Sequence, residues 1–208
     1  SVPALLSRSY ELLSSVQQSA LCDLAVFTGL FDSAALQAIW DLDEDDASDR
    51  VGDLMRHSLV EWQEADGLRG YRLHDLVRLF ACQQLAESEI ESLQRRHMTH
   101  FAALLAEAAA ANRRGEDGLP AFDFARTNID AALNCAATLP DAGAEALRIA
   151  EALVATDGFL NKRLTRSDRI NWIELAIRAA AQTDATLCQS RLFGLLGRQG
   201  RGQGALRA

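Results

Sequence analysis

The sequence predicts a mainly α-helical chain interrupted by one small β-hairpin. Three observations carry that prediction. Ala and Leu are abundant while aromatics make up only 6% and Pro occurs three times, a balance that favours helices. Apolar residues recur at three- and four-residue spacing along most of the chain, the signature of one-sided helices. The alternation of a strand appears only at Leu59-Val60-Glu61-Trp62-Gln63 and at Tyr71-Arg72-Leu73, with a Gly-containing turn between them.

The elements follow in order. Leu5, Leu6, Tyr10, Leu12 and Leu13 predict a first short helix. Ser14 or Ser15 is placed to cap a second, whose stripe is Val16, Ala20, Leu21, Leu24 and Ala25, because a short hydroxyl side chain can accept from the free N–H groups of a first turn. Gly29 is expected just past its end. Asp32 or Ser33 should cap a third helix carrying Leu36, Ile39 and Trp40. The run Asp41 to Asp49 is read as a solvated acidic loop entering a fourth helix, from about Asp46 to Ser58, with Val51, Leu54, Met55 and Leu59 facing inward. A calcium loop is excluded there: counted from Asp41, its sixth position is Asp46 where Gly is needed and its twelfth is Gly52 where Glu is needed. Residues 65–70 form the predicted turn. At Tyr71-Arg72-Leu73-His74-Asp75 the return strand runs into a helix bearing Leu76, Val77, Phe80 and Ala81. His74 sits at that junction, where unpaired helix N–H groups favour an anion.

The second half is helical throughout. Ser88-Glu89-Ile90-Glu91 reads as a capping box opening a long helix, which Arg113-Arg114-Gly115 closes. Phe122, Ala125, Ile129, Ala132, Leu133 and Ala136 mark the next helix. Pro140 suits the start of another, which Gly158 ends, and Ser167-Asp168 should cap one carrying Ile170, Ile173 and Ile177. Residues 185–206 begin as a helix, but Gly197, Gly200, Gly202 and Gly204 predict a frayed end.

Function classes narrow on charge and spacing. The net charge of -8 argues against a general nucleic-acid binder, which needs a basic surface. No apolar run approaches the length of a membrane span, and no signal-peptide pattern is visible. Cys22, Cys82, Cys135 and Cys188 are far apart, as in free thiols of a cytoplasmic protein. His97 and His100 lie three apart on one helix but lack a third ligand, so no metal site is expected. The chain starts on Ser1 and its last segment stops in mid-pattern, so it is expected to be a fragment of a longer protein. It has neither a Gly-x-x-x-x-Gly-Lys-[Ser/Thr] phosphate loop nor a nucleophile–base constellation, and is not expected to be an enzyme by itself.

Helices, then a hairpin, then a closing helix is the order of a winged helix. Leu73-His74-Asp75 in that setting resembles the Met-His-Asp motif of bacterial NB-ARC nucleotide switches, the STAND signal-transduction ATPases. Ser9-Tyr10-Glu11-Leu12-Leu13, Leu24 to Phe31 and Ser58-Leu59-Val60 are similar to the same family, so the resemblance covers roughly residues 4 to 86. Trp172-Ile173-Glu174-Leu175-Ala176-Ile177 resembles the helix that precedes tetratricopeptide arrays in such regulators. The resemblance implies a winged-helix domain over residues 1–87, linker helices over 88–138 and a truncated tetratricopeptide-like region over 139–208. It implies that His74 touches an ADP phosphate held by the parent's own ATPase core, which would bind ADP or ATP with Mg, while the helical arm binds an effector or protein ligand. The fragment itself would carry no cofactor. The alternatives are a DNA-binding winged-helix transcriptional regulator, disfavoured by the acidic fourth helix, and a plain helical interaction scaffold.

Overall fold

The computed structural model describes residues 2–65, 67–156, 158–183 and 185–201. The chain is mainly helical with one two-stranded antiparallel hairpin, and it divides into two compact units between His97 and Met98. That division lies inside a helix, ten residues beyond the boundary expected at residue 87.

The first unit begins with helix α1 (Val2–Glu11) and helix α2 (Ser15–Asp23). Ser14 caps α2 in a complete capping box with Gln17. A 3-10 turn (Leu24–Val26) follows and ends on Phe27, so Gly29 is not the helix terminator expected from its position. The chain tightens before reaching it, which buries Leu24 and Ala25. Asp32 caps helix α3 (Ser33–Trp40) by accepting from the Ala35 N–H at 2.9 Å.

Helix α4 (Glu44–Arg56) starts two residues earlier than its expected bound, and most of the acidic run is helix rather than loop. Asp43 accepts from the Asp46 N–H at 2.9 Å, and Glu44, Asp45 and Asp46 fill the first turn. Negative charge there faces the positive end of the helix dipole, which stabilises helix over loop. Strands β1 (Val60–Ala65) and β2 (Leu68–Leu73) pair with Val60 opposite Leu73 and Ala65 opposite Leu68. The pairing extends further toward the tip than expected, because Gly67 takes the left-handed conformation (φ 78°) of a tight reversal. Phe31 adds an isolated bridge to Tyr71 on the outer side of β2. Helix α5 (Asp75–Cys82) follows at once.

Leu21, Phe27, Phe31, Leu36, Ile39 and Leu54 are almost fully enclosed in this unit. Each contributes roughly 1.5–3 kcal/mol on burial. The Phe27 and Phe31 rings stack at 4.3 Å, and Tyr10 of α1 meets Phe80 of α5 edge-on at 5.4 Å.

Helix α6 (Glu87–Arg113) gives its first half to this unit and its second half to the next. Its start is fixed by the Glu89 carboxylate accepting from the Ala86 N–H at 2.8 Å. Ser88 therefore lies inside the helix and is not its cap; the longer Glu89 side chain reaches the free N–H first.

The second unit continues with helices α7 (Leu119–Thr138), α8 (Gly143–Ala155), α9 (Arg166–Ala181) and α10 (Thr186–Arg201). Helix α7 packs on α8 and α9, and α9 packs on α8 and α10. Gly118 is required where α7 begins, since a Cβ there would lie 2.2 Å from the Ala108 carbonyl oxygen of α6. Pro140 does not start a helix. Asp141, with φ 56°, turns the chain left-handed, and α8 begins at Gly143. Thr165, not Ser167, caps α9, in a capping box with Asp168. Phe122 meets Phe159 and Trp172 edge-on at 5.8 and 6.0 Å, and the Trp172 indole donates to Asp130 at 2.7 Å. The predicted fraying does not begin at Gly197, because α10 continues to Arg201. Gly202, Gly204 and Leu206 lie outside the described residues.

Candidate functional site

The first unit offers two candidate surfaces: the α4 face with the adjoining hairpin, and the β2–α5 junction. Helix α4 turns Ala47, Val51 and Leu54 inward. Glu44, Asp45, Asp46, Ser48 and Asp49 face solvent. Its two cations are engaged locally. Arg56 pairs with Asp53 one turn back, and the Arg50 guanidinium lies over the Trp40 ring, 5.6 Å from its centroid. The outward face is therefore carboxylate with little local compensation.

On the hairpin, Arg69 pairs with Glu64 at 2.9 Å and Arg72 donates to Gln63 at 3.3 Å. Trp62 is 53% exposed. Its ring meets Tyr71 edge-on at 5.0 Å, and Tyr71 approaches the buried Phe31 at 6.0 Å. An aromatic file thus runs from the core to the exposed middle of the hairpin. Sequence reading missed the exposed Trp62, although its pairing across from Tyr71 follows from the strand alternation.

At the junction, His74 is the N-cap of α5. Its Nδ1 accepts from the Leu76 N–H at 3.3 Å, and its carbonyl accepts from the Arg78 N–H at 2.9 Å. An accepting Nδ1 carries no proton, so the ring proton sits on Nε2. The side chain is exposed, which leaves an N–H donor available at a helix N-terminus. Asp75 occupies the first turn beside it.

Asp23, at the end of α2, was not singled out by sequence. Burial pushes its carboxyl up to about 6, with Arg96 and then Arg50 opposing and Glu89 adding to the shift. Arg96 of α6 also donates to the Ile39 carbonyl, tying the long helix to the end of α3. These four charges come from three separate elements, so no local spacing in the chain announces them.

The histidines considered for a metal serve packing. His97 is buried with its ring 5.8 Å from Phe27, and His100 meets Phe101 edge-on at 4.9 Å. Among the described residues no group of three His, Cys, Asp or Glu side chains is placed to hold a metal ion. Burial also pushes the Cys22, Cys82 and Cys188 thiols up, away from the reactive thiolate. No helix among the described residues is long and apolar enough to cross a membrane.

Comparison with known proteins agrees with this geometry. Residues 13–86 match the family model of a winged helix-turn-helix domain. A Mycobacterium tuberculosis protein named "Putative HTH-type transcriptional regulator" is 35% identical over 101 residues, which is 47% of this chain and 12% of that protein. The Mycobacterium bovis protein of the same description matches to the same extent. An uncharacterized protein of Mycobacterium tuberculosis is 35% identical over 98 residues, 45% of this chain and 25% of its own length. The chain thus spans an eighth to a quarter of these relatives. No solved structure matches it significantly. None of these comparisons supports the nucleotide-switch or tetratricopeptide resemblance. Three helices, the hairpin that follows them and the closing helix make residues 13–86 a winged helix-turn-helix domain.

Proposed function

We propose that this chain is part of a larger transcriptional regulator, and that its winged-helix domain works there as a protein-contacting regulatory element rather than as the reader of DNA sequence. The domain match and the names of the relatives support transcription regulation. They favour the DNA-binding alternative over the nucleotide-switch expectation. The observation that supports a protein-contact part for this domain is the charge of α4, the helix that would enter a groove. It exposes Glu44, Asp45, Asp46 and Asp49, against two cations, Arg50 lying over Trp40 and Arg56 beside Asp53. DNA binding draws most of its affinity from cations neutralising phosphates, and this face repels them. The relatives' name describes proteins of which 12% is matched, so it leaves room for DNA contact by another part.

Fluorescence anisotropy of a labelled duplex titrated with the chain at low salt tests the reading. It predicts no binding in the micromolar range. A rise in anisotropy that weakens steeply with added salt would establish the rival reading, in which the hairpin and α4 contact DNA directly.

A second, finer reading has one observation in its favour. The exposed Nε2–H of His74 at the start of α5 suits a phosphate oxygen, as the resemblance to NB-ARC switches implies. In that reading the phosphate belongs to ADP on an ATPase core elsewhere in the parent protein. A charge-assisted contact of that kind contributes roughly 1.5–3 kcal/mol.

A further inference from the structure

The charge of this chain is unevenly divided. Residues 1–97 hold 8 Arg and Lys against 17 Asp and Glu, whereas residues 98–208 hold 13 against 12. Four of those acids, Glu44, Asp45, Asp46 and Asp49, are exposed on α4. Helix α10 in the second unit has the opposite character, with no Asp or Glu between Thr186 and Arg201.

Among the described residues, one face of α10 packs against no neighbouring element. Cys188 and Leu192 point inward. Leu187, Ser190 and Gly194 recur at three- and four-residue spacing and form the centre of the exposed arc, with Phe193 and Gly197 on one flank and Arg191 on the other. Leu187 is 66% and Phe193 56% exposed. A Cβ at Gly194 or Gly197 would meet nothing within 4 Å, so another backbone can approach closely. Beside it, Leu187, Cys188 and Arg191 line a hollow of about 310 Å³ with Glu151 and Val154 of α8.

We infer that the outer face of α10 docks on the acidic α4 face of a second copy of this chain. Charge complementarity selects that occupant. Arg191 would meet the Asp45–Asp49 side of the partner copy's helix, while Leu187 would settle over half-exposed Met55. The two surfaces differ, so each contact is heterologous. One helix pair is small for an interface, so association is weak and salt-sensitive. The inference rests on α4 being a protein-contact face. Its failure is distinguishable from failure of that reading, because the duplex titration reads DNA and the test below reads mass.

Sedimentation velocity of the 208-residue chain is followed over a concentration series in low and in moderate salt. The weight-average mass should climb with concentration at low salt and return to monomer as salt is added. Arg191→Glu and Asp49→Arg, both at exposed positions, should each abolish the climb without changing the circular-dichroism melt. An equimolar mixture of the two variants should restore it, because every contact can then form between opposite charges. A chain that stays monomeric at low salt overturns the inference. So does association that both variants leave unchanged, or that the mixture fails to restore.

Discussion

His74 holds its place through a backbone bond that its ring accepts, and Asp75 and the Arg78 N–H support the same turn. His74→Ala therefore removes one exposed cap, a loss of about 1 kcal/mol or less. Its melting temperature should stay within a few degrees of wild type, as differential scanning fluorimetry can check. In the parent protein the finer reading predicts a faster ADP off-rate and higher unstimulated output. An unchanged off-rate would reduce the Leu73-His74-Asp75 resemblance to a hairpin meeting a helix. Asp23 makes the opposite kind of prediction. Burial pushes its folded carboxyl from an ordinary 3.8 up to about 6, so the folded state binds the proton more tightly than the unfolded state. Its contribution to stability thus falls as pH rises through about 4 to 6 and stays lost above. Asp23→Asn should flatten that slope and raise the melting temperature at pH 7.5, by a few degrees at most, because the group keeps some solvent contact. A lower melting temperature would mean that Arg96 and Arg50 outweigh burial. His74 was legible because a change of period marks it in one short stretch of sequence. Asp23 was not, because its environment is assembled from α4 and α6, distant along the chain.

Among the elements, the inward stripes of α3 and α4 could be read directly, since apolar spacing reports burial; those of α2 and α5 were legible only in part, because Val16 and Leu76, placed in them by spacing, are 59% and 47% exposed. Helix boundaries were less legible. Asp43, Glu89 and Thr165 each outcompeted a neighbouring candidate for a helix start, and that contest depends on which side chain reaches a free N–H. The acidic run shows the same limit: read by composition it is a loop, but with Asp43 as cap its charges stabilise the first turn of α4. Gly118 was also passed over, because its role is a close approach between α6 and α7 rather than a turn. Gly118→Ala would force a methyl carbon against the Ala108 carbonyl. It should destabilise the second unit by about 1–3 kcal/mol, visible as a lower urea midpoint. An unchanged midpoint would show that the start of α7 shifts freely.

For the whole molecule, the mainly helical class with one hairpin and the winged-helix arrangement were both present in the pattern of periods, and the domain match bears them out. The acidity of the fourth helix was legible as well, from the run Asp41 to Asp49; the placing of Arg50 over Trp40 was not, because it depends on how α3 and α4 pack. Regulation by this winged helix through protein contact, without reading of DNA, is tested by titrating a labelled duplex with the 208-residue chain at low salt, alongside a charge-reversed variant, Asp45→Lys with Asp49→Lys. Wild type should not bind, and the variant should bind in a salt-sensitive, sequence-independent way, since the reversal removes the repulsion and supplies two cations. Wild-type binding that prefers one sequence and weakens on the charge reversal would contradict it.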